Sequence, residues 1–126
     1  MDDKAYKALV KDITARIKRL KPRLHLDHWE LRTRFDREGH EFASDTPHCG
    51  SAAMCNPLWM YQVANLAFNC PIMFDLSDAD RDNVVVHEMV HCLLEPISGD
   101  ADPNIVELVT TSITGVICPA LSQKTL

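Results

Sequence analysis

Residues 77–96 read SDADRDNVVVHEMVHCLLEP, and the fold turns on whether this stretch is a helix. Side chains four apart on an α-helix lie one turn above each other on the same face. A helix here sets His87 and His91 side by side with Glu88 next to them, in the pattern H-E-x-x-H. Two imidazoles on one turn can share a divalent ion. A carboxylate beside that ion, rather than on it, can take a proton from a water molecule the ion activates.

The local signals favour the helix. Ser77 stands at a capping position with an acid three residues on, and Asp78, Asp80 and Asp82 gather at the positive end of the helix dipole. Val85, Val86, Met89, Val90, Leu93 and Leu94 form an apolar arc away from the histidines, and Pro96 predicts the stop. The valines at 84–86 disfavour helix only weakly, by less than burial returns. The bare pattern would arise by chance in about one chain in a hundred of this composition, so the helical context is what gives it weight.

Working outward, Tyr6, Leu9, Val10, Ile13, Ile17 and Leu20 recur at three- and four-residue steps and predict an amphipathic helix over 2–21, ended by Pro22. Trp29, Leu31, Thr33 and Phe35 alternate with charged residues and predict a half-buried strand. Residues 36–39 supply a turn, with Gly39 able to take a positive φ. Between 40 and 57 the pattern is faint: a short strand of small residues over 50–55, closed by Asn56-Pro57. Residues 60–69 alternate again, and their mixed polarity places that strand at or near a sheet edge. Pro71 interrupts, and Ile72-Met73-Phe74 leads into the central helix.

After the loop ISGDAD, Asp102 as cap and Pro103 in the first turn predict a second helix. Ile105, Leu108, Val109, Ser112, Ile113 and Val116 form its packing stripe, and Cys118-Pro119 closes it before the tail ALSQKTL. The expected architecture is one α+β domain over 1–126: an N-terminal helix, a short three-stranded sheet, the H-E-x-x-H helix and a C-terminal helix.

Composition bounds the function. At 126 residues, 46% apolar and 25% charged, the chain is an ordinary globular domain. No apolar run reaches the length of a membrane span, and MDDKAYKALVKD lacks a signal-peptide core, so a cytoplasmic protein without membrane attachment is expected. Five cysteines, an odd number with no C-x-x-C pair, predict reduced thiols, and His48, Cys49 and Cys55 match no common zinc module. The net charge of −5 is uneven: eight of thirteen bases lie in the first 23 positions, whereas from Asp36 onward there are thirteen acids and three bases. The basic first helix reads as a solvated face, and nucleic-acid binding is not expected from it. Nothing in the sequence sets an oligomeric state.

Catalytic zinc sites present three protein ligands and leave a position for water. No histidine follows His91, so a downstream third ligand is an acid: Glu95, Asp100, Asp102 or Glu107. Glu95 lies roughly 12 Å along the axis from His87, too far to share one ion. Asp102 is better used as a cap and Asp100 needs a loop that folds back. Glu107, off the apolar stripe of the next helix, is favoured, with Asp100 and Asp102 as alternatives.

His87-Glu88-x-x-His91 with Glu107 on a following helix resembles the gluzincin clan of zinc metallopeptidases, and the compact layout is similar to the minigluzincins and small prophage-type metallopeptidases. The metzincin continuation is excluded, because Leu94 and Ile97 stand where that clan has glycine and histidine. The resemblance implies one zinc ion on His87, His91 and Glu107, Glu88 as catalytic base, and a peptide or protein substrate. It implies that the strand before the zinc helix, here 60–69, pairs with extended substrate, and that a Tyr or His among Tyr61, His40 and His48 stabilises the oxyanion. The tail is read as inert or as a plug of the cleft. The alternative function is a zinc-bearing interaction module without hydrolytic activity.

Overall fold

The computed structural model describes residues 1–46, 48–98 and 100–121 and has the expected α+β architecture. Helix α1 (Asp3–Leu20) opens on Asp2, whose side chain accepts from the Ala5 backbone N–H at 2.7 Å. Its predicted face buries Leu9, Ile13, Ile17 and Leu20. Three strands follow: β1 (Glu30–Asp36), β2 (Ala53–Leu58) and β3 (Val63–Asn69). The sheet order is β1-β3-β2, with β1 parallel and β2 antiparallel to β3. Helices α2 (Cys70–Asp75), α3 (Asp78–Ser98) and α4 (Pro103–Leu121) complete the chain. The core joins α1 to β3 and to Val85, Val86, Met89 and Val90 of α3, with Phe35 and Phe68 stacked at 5.6 Å.

The strand assigned to 60–69 and placed at an edge is corrected twice. Residues 59–61 form a 3-10 turn ended by Gln62 in the left-handed region (φ 53°), so the strand starts only at Val63. It is then the central strand, with Ala64, Leu66, Ala67 and Phe68 buried. Its polar residues misled because Asn69 is spent inside: Nδ2 donates to Ser51 O at 3.0 Å, and the Asn69 backbone N–H donates to Ala52 O at 2.8 Å. Gly39 takes the expected positive φ (76°), and a Cβ there would stand 2.8 Å from Asn69 Oδ1. The edges are β1 and β2, and β2 runs on through Pro57 to Leu58; an edge strand tolerates a residue with no N–H to donate.

Prolines end helices later than expected. Pro71 sits in the first turn of α2, where its missing N–H has no partner to lose, so it starts a helix rather than interrupting. Pro96 and Pro119 lie inside α3 and α4, each followed by two further helical residues. Ser77 Oγ accepts from the Asp80 N–H at 3.2 Å, as its capping position predicts. Of the predicted α3 arc, Leu94 is half-buried and Leu93 faces outward.

The largest departure is in α4. Of the predicted stripe, Ile105, Leu108, Val109, Ser112 and Val116 are exposed and Ile113 is half-buried. The buried residues are Thr110, Thr114 and Cys118, flanked by Val106, Ile117 and Leu121. Thr110 Oγ1 donates to Val106 O and Thr114 Oγ1 to Thr110 O, both at 2.7 Å. A threonine that returns its proton to the preceding turn presents mainly its methyl group, so it packs as an apolar residue.

The basic face of α1 is not wholly solvated. Arg16 is 7% exposed and donates to Asp12 and Asp78, and to Asp82 Oδ1 at 2.8 Å; Arg19 reaches Asp82 Oδ2 at 2.6 Å and Arg81 reaches Asp12 at 3.0 Å. The acids that begin α3 are thus clamped to α1, which fixes the angle at which α3 crosses the core. Removing one partner of a buried pair leaves the other charge stranded at a cost of about 3–5 kcal/mol. Arg16→Ala should lower unfolding free energy by about that amount in urea titrations. A loss below about 1 kcal/mol would mean that the clamp does not hold α3.

Candidate metal centre

Helix α3 carries His87 and His91 one turn apart, their rings 5.2 Å between centroids and near perpendicular. Helix α4 returns along α3 and delivers Glu107 between them. His87 Nε2 lies 3.1 Å from Glu107 Oε2 and His91 Nε2 lies 2.9 Å from Glu107 Oε1. One candidate ligand atom from each residue falls within 4.8 Å of the others, forming a possible metal-binding triad. A carboxylate only accepts, so without an ion each contact is an Nε2–H donation, and an ion bound there would take the place of those protons.

The donor set fits a divalent ion. Two imidazole nitrogens and a carboxylate oxygen at about 2.0–2.2 Å from a tetrahedral ion stand roughly 3.3 Å apart. Taking one ligand atom per residue, the three lie within 4.8 Å of one another, so small side-chain rotations suffice to bring them to that spacing. Burial holds the His87 pKa below its ordinary value, and the His91 ring adds to this while Glu107 works against it. A neutral imidazole is the form that ligates.

Glu88 lies against this triad and is 7% exposed. Loss of water around the carboxyl, followed by the charge of Glu107, raises its pKa from 4.5 to about 8. In the metal-free protein it is therefore protonated at neutral pH. A cation beside it reverses that preference.

Among the alternatives for the third ligand, Asp102 is the cap its position predicts, its Oδ1 accepting from the Asn104 N–H at 2.8 Å. Neither Asp100 nor Glu95 belongs to the triad. A cleft opens over the site between α3 and the edge strand, lined by His48, Ser51, Ala53, Met54, Cys55 and Asn104 among others. Of the three oxyanion candidates only His48 lines it; Tyr61 is exposed in the 3-10 turn and His40 begins another such turn. The β2 contribution is only weakly signalled in the sequence, because small residues between 50 and 55 carry no strong periodicity. Nothing in the sequence marks Cys55 and Cys92 as neighbours of the site, with Sγ atoms 3.9 Å apart between β2 and α3. The five cysteines are free thiols. Residues 122–126, and with them most of the proposed tail plug, lie outside the described residues. No protein-family model, curated protein or solved structure matches this chain.

Proposed function

We propose that the chain is a zinc-dependent metallopeptidase of the gluzincin type, hydrolysing peptide bonds in an extended peptide or protein substrate. The observation that carries this reading is the convergence of His87, His91 and Glu107 with Glu88 buried beside them. The donor chemistry supports zinc: two imidazoles and a single carboxylate suit it better than the all-oxygen sites of calcium or magnesium. Only three ligating groups converge among the described residues, which leaves a coordination position for solvent. The alternative, a closed structural site, needs a fourth.

Zinc held there supplies Lewis acidity and lowers the pKa of a water molecule. The chain's own residues do the rest. Glu88 would take a proton from the attacking water at a carboxylate oxygen, hold it in a site poor in solvent, and deliver it to the departing amine nitrogen. Its burial supports both halves of the task, because a carboxyl shielded from water keeps a transferred proton rather than losing it to bulk. Because His48 lines the same cleft, we assign it the oxyanion role, its imidazole N–H donating to the carbonyl oxygen as negative charge builds there.

Substrate pairing moves from the strand predicted for it. β3 already has a neighbour on each side, and of the two edge strands, β1 and β2, it is β2 that lines the cleft and so offers unpaired backbone groups to an extended peptide there. The direct test is cleavage of an unstructured protein, followed by mass spectrometry. Activity should vanish with 1,10-phenanthroline and return on adding one equivalent of zinc. Chelator-resistant cleavage, or none from zinc-loaded protein on any peptide library, would contradict the reading.

A further inference from the structure

The outward face of α4 is unexplained by the metal centre. Ile105 is 58% exposed, Leu108 66%, Val109 40% and Val116 78%. With Ser112, Gly115 and Pro119 they follow a three- and four-residue spacing, 105, 108, 112, 115/116 and 119, which forms one continuous seam along the helix. The sequence pattern is that of a packed face, yet the fold turns it to solvent.

From the spacing, the charge and a glycine in that seam, we propose that α4 pairs with α4 of a second copy of this chain, making a two-fold symmetric dimer. Charge points to this occupant. The chain carries −5, but from Leu108 to Leu121 helix α4 holds no Asp, Glu, Lys or Arg. Two copies can therefore meet there without apposing like charges. By length and composition α4 suffices to cross a membrane, but it packs through Thr110, Thr114 and Cys118 and holds Glu107 against the histidines. An anionic surface would also repel an acidic chain whose apolar face has no basic rim.

Gly115 supplies an independent argument. It lies inside a helix, where glycine costs about 1 kcal/mol relative to alanine, and a Cβ there would meet nothing within 4 Å. Among the described residues nothing needs it to be glycine. Beside Ser112 at the middle of the seam it lets a second helix backbone approach closely, and Leu108 and Val116 then close over the crossing from either side. The exposed face amounts to on the order of 600 Å² per copy, so the pair buries roughly 1,200 Å², at the lower bound for a specific interface. Glu107 points to the histidines on the other side of α4, so pairing leaves the metal centre open.

Sedimentation equilibrium of the full chain from about 1 to 100 μM tests this. Twice the 14.2 kDa chain mass is expected at the upper end. Because both partners are acidic, association should strengthen with added salt. Leu108→Glu and, separately, Ser112→Lys should weaken association by at least about tenfold while far-UV circular dichroism and zinc stoichiometry stay unchanged. Both sites are exposed, so folding of the single chain does not depend on them. Gly115→Ala should raise the melting temperature of dilute monomer and weaken the dimer. In a two-fold pair Ser112 faces its own mate, so Ser112→Cys should cross-link under mild oxidation. A wild-type chain that stays monomeric across this range overturns the proposal, as does a folded Leu108→Glu that still dimerises. Co-sedimentation of wild type with neutral phosphatidylcholine vesicles, lost in Leu108→Glu, would assign the face to lipid and overturn it too. Metal binding without dimerisation, or dimerisation without metal, separates this proposal from the reading of the metal centre.

Discussion

Glu88→Gln is expected to cut peptide hydrolysis by about two to four orders of magnitude while leaving one zinc ion per chain in place. Glutamine keeps the shape and fills the same buried space but cannot accept a proton, so the substitution separates proton transfer from metal binding. Glu88 is not among the three converging ligand groups, and removing its charge therefore should not loosen the ion. The readouts are the cleavage rate on an unstructured protein and metal content by mass spectrometry. Activity within about threefold of wild type would remove Glu88 from the chemistry. Loss of the ion along with activity would make it a ligand rather than a base.

The same residue should govern stability against pH. The folded, metal-free chain raises the Glu88 pKa to about 8 from an ordinary 4.5. Below 4.5 the carboxyl is protonated whether the chain is folded or not, so burial is tolerated and its contribution is fully present. As pH rises toward 8 the unfolded chain ionises freely while the folded one must either keep the proton or bury a charge, and that contribution is lost. The metal-free protein should accordingly weaken across this window by an amount on the order of a few kcal/mol. Glu88→Gln should remove that slope, leaving the variant the more stable of the two at pH 8.5 and the two nearly equal at pH 4.5. Zinc should flatten the wild-type profile by placing a cation beside the carboxylate. Urea titrations at the two pH values, with and without zinc, measure this. Parallel profiles for wild type and Glu88→Gln would contradict it.

Most of the site was legible before the fold was seen, and the reason is its locality. His87, Glu88 and His91 need only the pitch of one helix, with Ser77 marking its start, to be arranged as they are. Glu107 needed one step more, a following helix that packs back along α3, and its position off the apolar stripe was enough to favour it over Asp100 and Asp102. What misled was burial that hydrophobicity does not report. Thr110 and Thr114 hide their hydroxyls within α4 and turn Ile105, Leu108, Val109 and Val116 to solvent, so the face that reads as core is the surface.

The sheet failed for a related reason. Asn69 reads as an edge residue until its amide is seen bonded inward to Ser51, and β2 is nearly silent because small residues and Pro57 carry little strand signal. Strand order is non-local: β3 pairs with β1, more than thirty residues earlier, and no periodicity encodes that choice. The Arg16 clamp was half visible. By sequence alone its partners on α3 are dipole-stabilising acids and its own helix a solvated face, and only the packing of α1 on α3 joins the two.

Zinc stoichiometry and affinity, measured on the wild type and on His91→Ala and Glu107→Ala after dialysis against zinc-supplemented buffer, bear most directly on the account. One ion per wild-type chain is predicted, with affinity falling by more than about 100-fold in each variant while the fold persists. A wild type that retains no ion, or variants that hold it as tightly as wild type, would contradict the assignment of His87, His91 and Glu107 as a single metal centre.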